Sequence, residues 1–186
     1  MLSQQPEADA LLDKDPLALV IGMVLDQQIP LEKAFSGPYV LTERLGHVPD
    51  AAEIAGMPED DLVAIFSKPP ALHRFPGSMA KRVQAMCQVV VEQYDGDVSN
   101  VWTQAADGKE LLRRLGGLPG FGKQKAQIFV ALLGKQYGVD VPGWREAAGE
   151  FGPADTYKSV ADIRDPESLG KVREYKKQMK AAAKAT

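Results

Sequence analysis

Residues 118–126 read LPGFGKQKA, a proline and two glycines followed by lysines. Apolar residues at helical spacing lie on both sides of this stretch, so it predicts a tight turn between two helices. Glycine adopts positive φ at little steric cost, so successive backbone N–H groups in such a turn can point the same way. The positive end of the following helix dipole adds to them. The turn is therefore either an ordinary helix connection or a site for a phosphate.

Helix start signals recur along the rest of the chain. Asp15-Pro16 and Asp165-Pro166 each place an N-cap residue before a proline at the first helical position. Further signals are the capping-box spacing of Asp107 with Glu110, helical stretches over Glu32–Ala34 and Tyr39–Leu45, and a long helix that Ser78 caps. Strand signals are weak. The sequence therefore predicts an all-α fold of roughly eight to eleven helices, many of them short.

Charge is unevenly distributed along the chain. The formal net charge is -3, which argues against a protein that is basic overall. Residues 74–135 nevertheless hold nine Lys or Arg against five Asp or Glu, and the segment from Lys171 onward is also basic. This distribution allows a local positive face on an acidic protein.

The few cysteines and histidines limit which metal sites and disulfides the chain can form. Cys87 is the only cysteine, which excludes a disulfide framework and a thiolate zinc or iron–sulfur site. His47 and His73 are too far apart in sequence to indicate a metal site, and His73 is expected in a surface loop rather than a DNA-facing one. The chain starts without signal-peptide features and has no bilayer-length apolar run, so we expect a cytoplasmic protein.

The turn and its surroundings resemble the helix-hairpin-helix of DNA repair glycosylases. Three stretches carry the resemblance: PLALVIGMVLDQQIPLEKAF at 16–35, GSMAKRVQAMCQVVVEQYDGDV at 77–98 and LLRRLGGLPGFGKQKAQIFVALLG at 111–134. The chain is identified as a member of the HhH-GPD superfamily of base excision repair proteins, similar to endonuclease III and adenine glycosylases but lacking the iron–sulfur cysteines.

This resemblance implies a division into two parts. Residues 15–138 would form a helical core lobe, with the helix-hairpin-helix at about 108–137. Residues 1–14 together with 139–186 would form a smaller second lobe or a C-terminal extension.

The resemblance also implies how DNA would be held. The DNA-binding residues expected from it are Gln28, Lys81, Arg82, Leu118, Gly120, Phe121, Gly122, Lys123 and Lys125. Backbone amides of the hairpin would contact a DNA phosphate, and hairpin carbonyls could also hold a monovalent cation; no other cofactor is expected. Gln28 would fill the gap left by an extruded base, with Gln27 as a competitor for that role. The alternative is that Gln28 is a polar loop residue that caps the preceding helix.

The catalytic positions depart from the family pattern. Bifunctional members carry a lysine nucleophile at the position of Gln124, so an enzyme with this sequence would use water instead. The family's catalytic aspartate is assigned to Asp140, although strict alignment places Pro142 there. Weaker candidates for this acid are Glu146, Glu150 and Asp155. The alternative interpretation of Asp140 is a solvated loop acid.

Trp144 follows Asp140 closely and is a candidate for stacking on an extruded base, with core packing as the alternative. No metal site is expected.

Three functions remain open from the sequence. The first is a monofunctional DNA glycosylase that removes a damaged base. The second is a catalytically inactive DNA-binding protein of the same fold, and the third is a helical domain that binds only proteins. The expected partner is damaged duplex DNA, without membrane association, and the expected state is a monomer.

Overall fold

A computed structural model describes residues 1–185 and contains helices, turns and loops but no strand within that range. The all-α prediction is therefore confirmed. The α-helices are α1 Pro6–Lys14, α2 Pro16–Leu25, α3 Leu31–Leu45, α4 Ala51–Gly56, α5 Glu59–Ser67, α6 Pro76–Gln93, α7 Asn100–Thr103, α8 Gly108–Gly116, α9 Lys123–Gln136, α10 Trp144–Ala147 and α11 Pro166–Lys184. Two 3-10 helices span Gly149–Phe151 and Val160–Asp162. No helix within residues 1–185 is long and apolar enough to cross a membrane.

The predicted aspartate N-caps form the expected hydrogen bonds. The Asp15 carboxylate accepts from the backbone N–H of Leu17 at 3.1 Å, and Asp107 accepts from the N–H of Glu110 at 2.8 Å. The Glu110 carboxylate reaches back one residue beyond the cap, to the N–H of Ala106 at 2.9 Å. These contacts fix the starts of α2 and α8 as the sequence predicts.

The predicted break between two helices near residue 37 is wrong, because α3 runs unbroken through Pro38. Close packing against α2 holds it together. A Cβ atom added at Gly22 would lie 2.6 Å from the ring of Phe35, and one added at Gly37 would lie 2.6 Å from Cδ1 of Leu25. The two glycines let the helices approach closely, so tertiary packing outweighs the local effect of the proline.

Two further boundaries differ from the sequence prediction. The long helix α6 starts at Pro76 rather than after Ser78, because Pro76 occupies its first turn. Helix α1 lacked a strong signal in the sequence, yet its residues Ala8 and Leu12 are buried in the core.

The hydrophobic core is continuous through the described chain. Leu12 near the start, Phe35 and Phe129 in the middle, and Val172 near the end belong to one cluster of buried side chains. The division at residue 138 stays a prediction.

Helix α9 holds the centre of the C-terminal half. Its face of Ala126, Phe129, Val130 and Leu133 is buried, as predicted from the apolar spacing. It packs against α8, α10 and the 3-10 helix Val160–Asp162. A buried ion pair links α9 to that 3-10 helix, with Lys135 Nζ 2.6 Å from Oδ1 of Asp162. This packing fixes the position of the hairpin that precedes α9.

Candidate functional site

The turn between α8 and α9 is anchored by two buried side chains. Leu118 is 2% exposed and Phe121 is 5% exposed, and the Phe121 ring packs against Phe129 of α9 with centroids 5.7 Å apart. The N–H of Phe121 donates to the carbonyl of Leu118 at 3.1 Å. The bulky residues thus point inward, which leaves the backbone of Gly122 facing solvent at the start of α9.

Gly120 is the residue for which the turn requires glycine. Its φ is +95°, a left-handed conformation that other residues rarely adopt. A Cβ atom there would also lie 3.2 Å from both methyl carbons of Val24 and 3.3 Å from Cδ of Arg82. The turn therefore presses against the end of α2 and the first half of α6, and a larger residue would push these elements apart.

Lys125 connects the hairpin to α2. Its ammonium group donates to the carbonyl of Met23 at 2.6 Å and lies 3.4 Å from that of Val24. Burial lowers the pKa of the Lys125 amine, and nearby Arg82 lowers it further, while Asp26 acts in the opposite direction. Lys125 is thus a cap on carbonyls at the end of α2, where the helix dipole is negative. Its neighbour Lys123 is exposed on the first turn of α9.

The two glutamines after α2 have different surroundings. The Gln27 amide donates from Nε2 to the carbonyl of Val24 at 3.1 Å and accepts from Arg82 Nη1 at 3.3 Å. Gln28 is exposed and its φ is +57°, which is uncommon for a residue other than glycine. The side chain of Gln27 is therefore engaged by the protein, whereas Gln28 is presented to solvent.

His73 supports the same loop from behind. It is 1% exposed, so its predicted surface position is wrong. Nδ1 accepts from the N–H of Phe75 at 3.0 Å, which leaves the proton on Nε2, and Nε2 donates to the carbonyl of Gln27 at 2.9 Å. Burial lowers the pKa of the His73 imidazole, in keeping with this neutral form. Neutral His73 thus fixes the backbone of the loop that carries Gln28.

Together these residues form a shallow concave area, which we call the hairpin surface. It has a volume of about 430 Å³ and is lined by Gln27, Arg82, Gly120, Phe121, Gly122 and Lys125. Its cations and the N-terminus of α9 suit an anion. Lys81 lies outside it, exposed on α6, with Nζ 3.8 Å from a carboxylate oxygen of Glu59.

A larger cavity of about 750 Å³ lies next to the hairpin surface, and we call it the cleft. Its walls come from the end of α2 and the loop to α3, the first turns of α9, the 3-10 helix Val160–Asp162, and α11. The aliphatic residues that line it are Met23, Ile29, Leu31, Ile128 and Val160. Its polar lining includes Asp26, Gln28 and Gln124, and it shares Gln27 and Lys125 with the hairpin surface. A phosphate on the hairpin surface would therefore lie beside the entrance of the cleft.

Asp26 is a site residue that the sequence reasoning missed. Its carboxylate lines the cleft, partly buried, and burial raises its pKa, while Lys176 and Lys125 act in the opposite direction. One sequence signal could have identified it: an acid directly after a helix meets the negative end of the helix dipole, an unfavourable position. A carboxyl with a perturbed pKa in a cleft is a candidate for acid–base chemistry.

The structure does not bring Asp140 to Gln124. Gln124 lies in the first turn of α9 and lines the cleft, whereas Asp140 is exposed beyond the other end of that helix. A helix of this length spans about 20 Å. The aligned Pro142 is also distant from the hairpin turn, since its carbonyl accepts from the N–H of Gly108 at the start of α8. Of the weaker candidates, Glu146, Glu150 and Asp155 are exposed and none lines the cleft.

Trp144 lies in the core rather than in the cleft. It is 7% exposed and packs face-on against α9, where a Cβ atom added to Gly134 would lie 2.5 Å from its ring. The Arg145 guanidinium covers the indole at 4.4 Å from its centroid. The placement favours the packing interpretation, and a role in stacking on a base stays a prediction.

The family model for the HhH-GPD superfamily base excision DNA repair protein matches residues 21–183, a range that includes the second half of α2, the hairpin, the cleft and most of α11. Searches of curated proteins and of solved structures gave no significant match.

Proposed function

Since the chain belongs to the HhH-GPD superfamily of base excision DNA repair proteins, we propose that it is a monofunctional DNA glycosylase that removes a damaged base from duplex DNA. The observation that carries this proposal is the adjacency of the hairpin surface and the cleft, which share Gln27 and Lys125. An enzyme of this type must hold the DNA backbone and enclose an extruded nucleotide at neighbouring places.

The hairpin surface would hold the backbone. The backbone N–H groups of Gly120 and Gly122 and the side chain of Arg82 would contact one phosphate, with Lys123 and Lys81 adding charge nearby. Such contacts fix the position of the protein on DNA without reading its sequence.

The loop after α2 would handle the extruded base. Gln28 lies at the rim of the cleft and would enter the gap that the base leaves in the duplex. The aliphatic lining of the cleft suits the flat faces of a base, and Asp26 and Gln124, which also line the cleft, would contact its sugar.

The proposed reaction is hydrolysis of the bond between the sugar C1′ and the base nitrogen. The Asp26 carboxylate accepts a proton from water, the water oxygen bonds to C1′, and the base leaves with the electron pair of the broken bond. A carboxylate with a raised pKa is a stronger base than an ordinary one. Lys125 and Lys176 oppose that rise and so favour its ionised form. Gln124 has no amine for a Schiff base, which is why water is the nucleophile.

A base-release assay tests the proposal. Labelled duplexes that carry single damaged bases are incubated with the protein and then treated with alkali, which cuts at abasic sites. We expect strand cleavage only after alkali, and no protein–DNA adduct on borohydride treatment. An adduct would contradict the monofunctional mechanism.

Two variants identify the catalytic carboxylate. We expect Asp26→Asn to lower the rate of base release by about 100-fold or more while DNA binding persists, in line with typical losses of a general base. Asp140→Asn is the matched control and should leave the rate unchanged. The reverse result would return the catalytic role to Asp140.

A catalytically inactive DNA-binding protein is the second candidate. Two observations favour it: Gln124 replaces the family's lysine, and Asp140 lies far from it along α9. Salt-sensitive DNA binding that Gly120→Asp abolishes, together with no base release from any damaged duplex, would establish this alternative.

A further inference from the structure

The part of α11 that follows Val172 lies outside the core. Within α11 the buried residues are Ser168, Leu169 and Val172, all in its first half. Beyond Val172 almost every residue is exposed, including Met179 at 52%. A helix of good helix-forming residues continues here without an apolar surface to cover, so packing does not explain it.

The exposed part of α11 carries one continuous cationic face. Arg173, Lys176, Lys177, Lys180 and Lys184 follow the three- and four-residue spacing that places side chains on one side of a helix. With Ala181 they line a groove of about 490 Å³. Glu174, the only acid of α11 after Val172, lies outside this spacing.

Most of these charges have no ion-pair partner within the described residues. Arg173 pairs with Glu32, but the four lysines of this face form no ion pair within residues 1–185. Like charges at this spacing repel and destabilise a helix. An external polyanion would remove that repulsion.

The cationic face leads directly to the cleft. Arg173, Lys176 and Lys180 line the cleft, which Gln28 and Gln124 line from other elements. The face therefore starts at the proposed catalytic site and continues away from it, on a different element from the hairpin surface.

We propose that the cationic face of α11 binds the phosphate backbone of DNA as a second contact, separate from the hairpin surface. From Arg173 to Lys184 the face extends about 17 Å. That length of B-form DNA carries about five phosphates on one strand, which equals the number of cations on the face. This inference rests on the proposed function, because it names a further part of the same DNA-binding site.

The test compares the salt dependence of DNA binding among matched variants. The first variant combines Lys177→Gln, Lys180→Gln and Lys184→Gln and leaves Lys176 intact because it lies beside Asp26. Its control combines Lys14→Gln, Lys68→Gln and Lys109→Gln. These three exposed lysines line neither the hairpin surface, nor the cleft, nor the groove of α11, and the control variant has the same net charge as the first variant. A second control replaces the three α11 lysines by Arg and keeps their charge.

Binding to an abasic duplex is measured by fluorescence anisotropy at several salt concentrations. For the α11 Gln variant we expect the slope of log affinity against log salt to shrink by about 3, roughly one for each phosphate that the variant no longer neutralises. The Arg variant and the Lys14, Lys68 and Lys109 variant should keep the wild-type slope.

The outcomes separate this inference from the proposed function. An unchanged slope in the α11 Gln variant, together with loss of binding in Gly120→Asp, overturns the second contact and leaves the glycosylase proposal standing. Absence of salt-sensitive binding by the wild-type protein overturns both. Circular dichroism checks that each variant folds, which is expected because the substituted side chains are exposed.

Discussion

At the scale of single residues, the loop after α2 holds features that folding alone does not favour. Gln28 has a positive φ, and the Asp26 carboxylate lies partly buried after the negative end of a helix. Both features cost stability and both lie at the cleft. Residues of this kind concentrate at functional sites because selection there favours chemistry over stability.

Asp26→Asn should therefore stabilise the protein at neutral pH. Because burial raises the pKa of this carboxyl in the folded state, folding takes up a proton, and stability falls as pH rises above the ordinary value of 3.8. Asp26→Asn has no ionisable group at this position, so it does not lose this stability. We expect the Tm of Asp26→Asn at pH 7 to exceed that of the wild type.

Thermal unfolding of both proteins between pH 3 and pH 7 measures the effect. Below the pKa of an ordinary aspartate the two Tm values should converge, since Asp26 is then protonated in both states. Asp140→Asn serves as the control and should match the wild type throughout. A Tm difference that grows toward low pH would show that the pKa of Asp26 is not raised in the folded protein.

The sequence predicted residues whose role is set by local geometry. Gly120 follows from the turn, which needs a residue that adopts positive φ. Leu118 and Phe121 are expected at the DNA only from the family resemblance; their side chains are buried, and their role in DNA binding stays a prediction. Asp26 could not be predicted in this way, because its surroundings include Lys125 and Lys176 from distant parts of the chain. The assignment of the catalytic acid to Asp140 depends on its distance in sequence from the hairpin, and that distance does not determine where the loop after α9 leads.

At the scale of elements, α9 connects the site to the rest of the fold. Its first turn carries Gln124 and Lys125, and near its other end Lys135 pairs with Asp162 of the 3-10 helix Val160–Asp162. Both side chains of this pair are 3% exposed. The pair therefore positions the 3-10 helix that forms one wall of the cleft.

Lys135→Met should lower the free energy of unfolding by about 3–5 kcal/mol, because it leaves the Asp162 carboxylate buried without its cation. Addition of Asp162→Asn should recover part of that loss. Denaturant titration followed by circular dichroism measures both changes.

Lys171→Met is the control for this experiment. Lys171 pairs with Glu167 at 2.7 Å, but both side chains are exposed, so we expect no measurable loss. Equal effects of Lys135→Met and Lys171→Met would show that burial of the Lys135–Asp162 pair does not matter for stability.

Elements with strong local signals were predictable and those held by packing were not. N-caps and prolines identified the starts of α2, α8 and α11. The unbroken course of α3 depends on its contact with α2, and α1 is held by burial of Ala8 and Leu12. Such contacts form only in the folded chain, so periodicity and capping patterns do not report them.

At the scale of the whole molecule, the core joins the two predicted parts. Trp102 packs edge-on against Phe129 with centroids 5.9 Å apart, and Trp144 packs against Gly134. Both partners belong to α9, although the two tryptophans lie on opposite sides of residue 138 in the sequence. One helix thus carries the packing of both parts.

We therefore expect residues 15–138 to unfold together with the second predicted part, residues 1–14 and 139–186. Trp144→Phe leaves Trp102 as the single reporter of the first part, and Trp102→Phe leaves Trp144 as the reporter of the second. Within each variant, tryptophan fluorescence and circular dichroism should give the same denaturant midpoint. A separate, earlier midpoint for Trp144 would indicate an independent C-terminal lobe.

The ammonium group of Lys125 has a mechanical consequence. Because it donates hydrogen bonds to the carbonyls of Met23 and Val24, it couples the hairpin to the loop that carries Gln28. The hairpin surface and Gln28 would then move together as one rigid unit rather than independently. Because the protein would not adjust, bound DNA would have to bend. A duplex whose stacking is already weakened by a damaged base would bend more easily than an intact duplex.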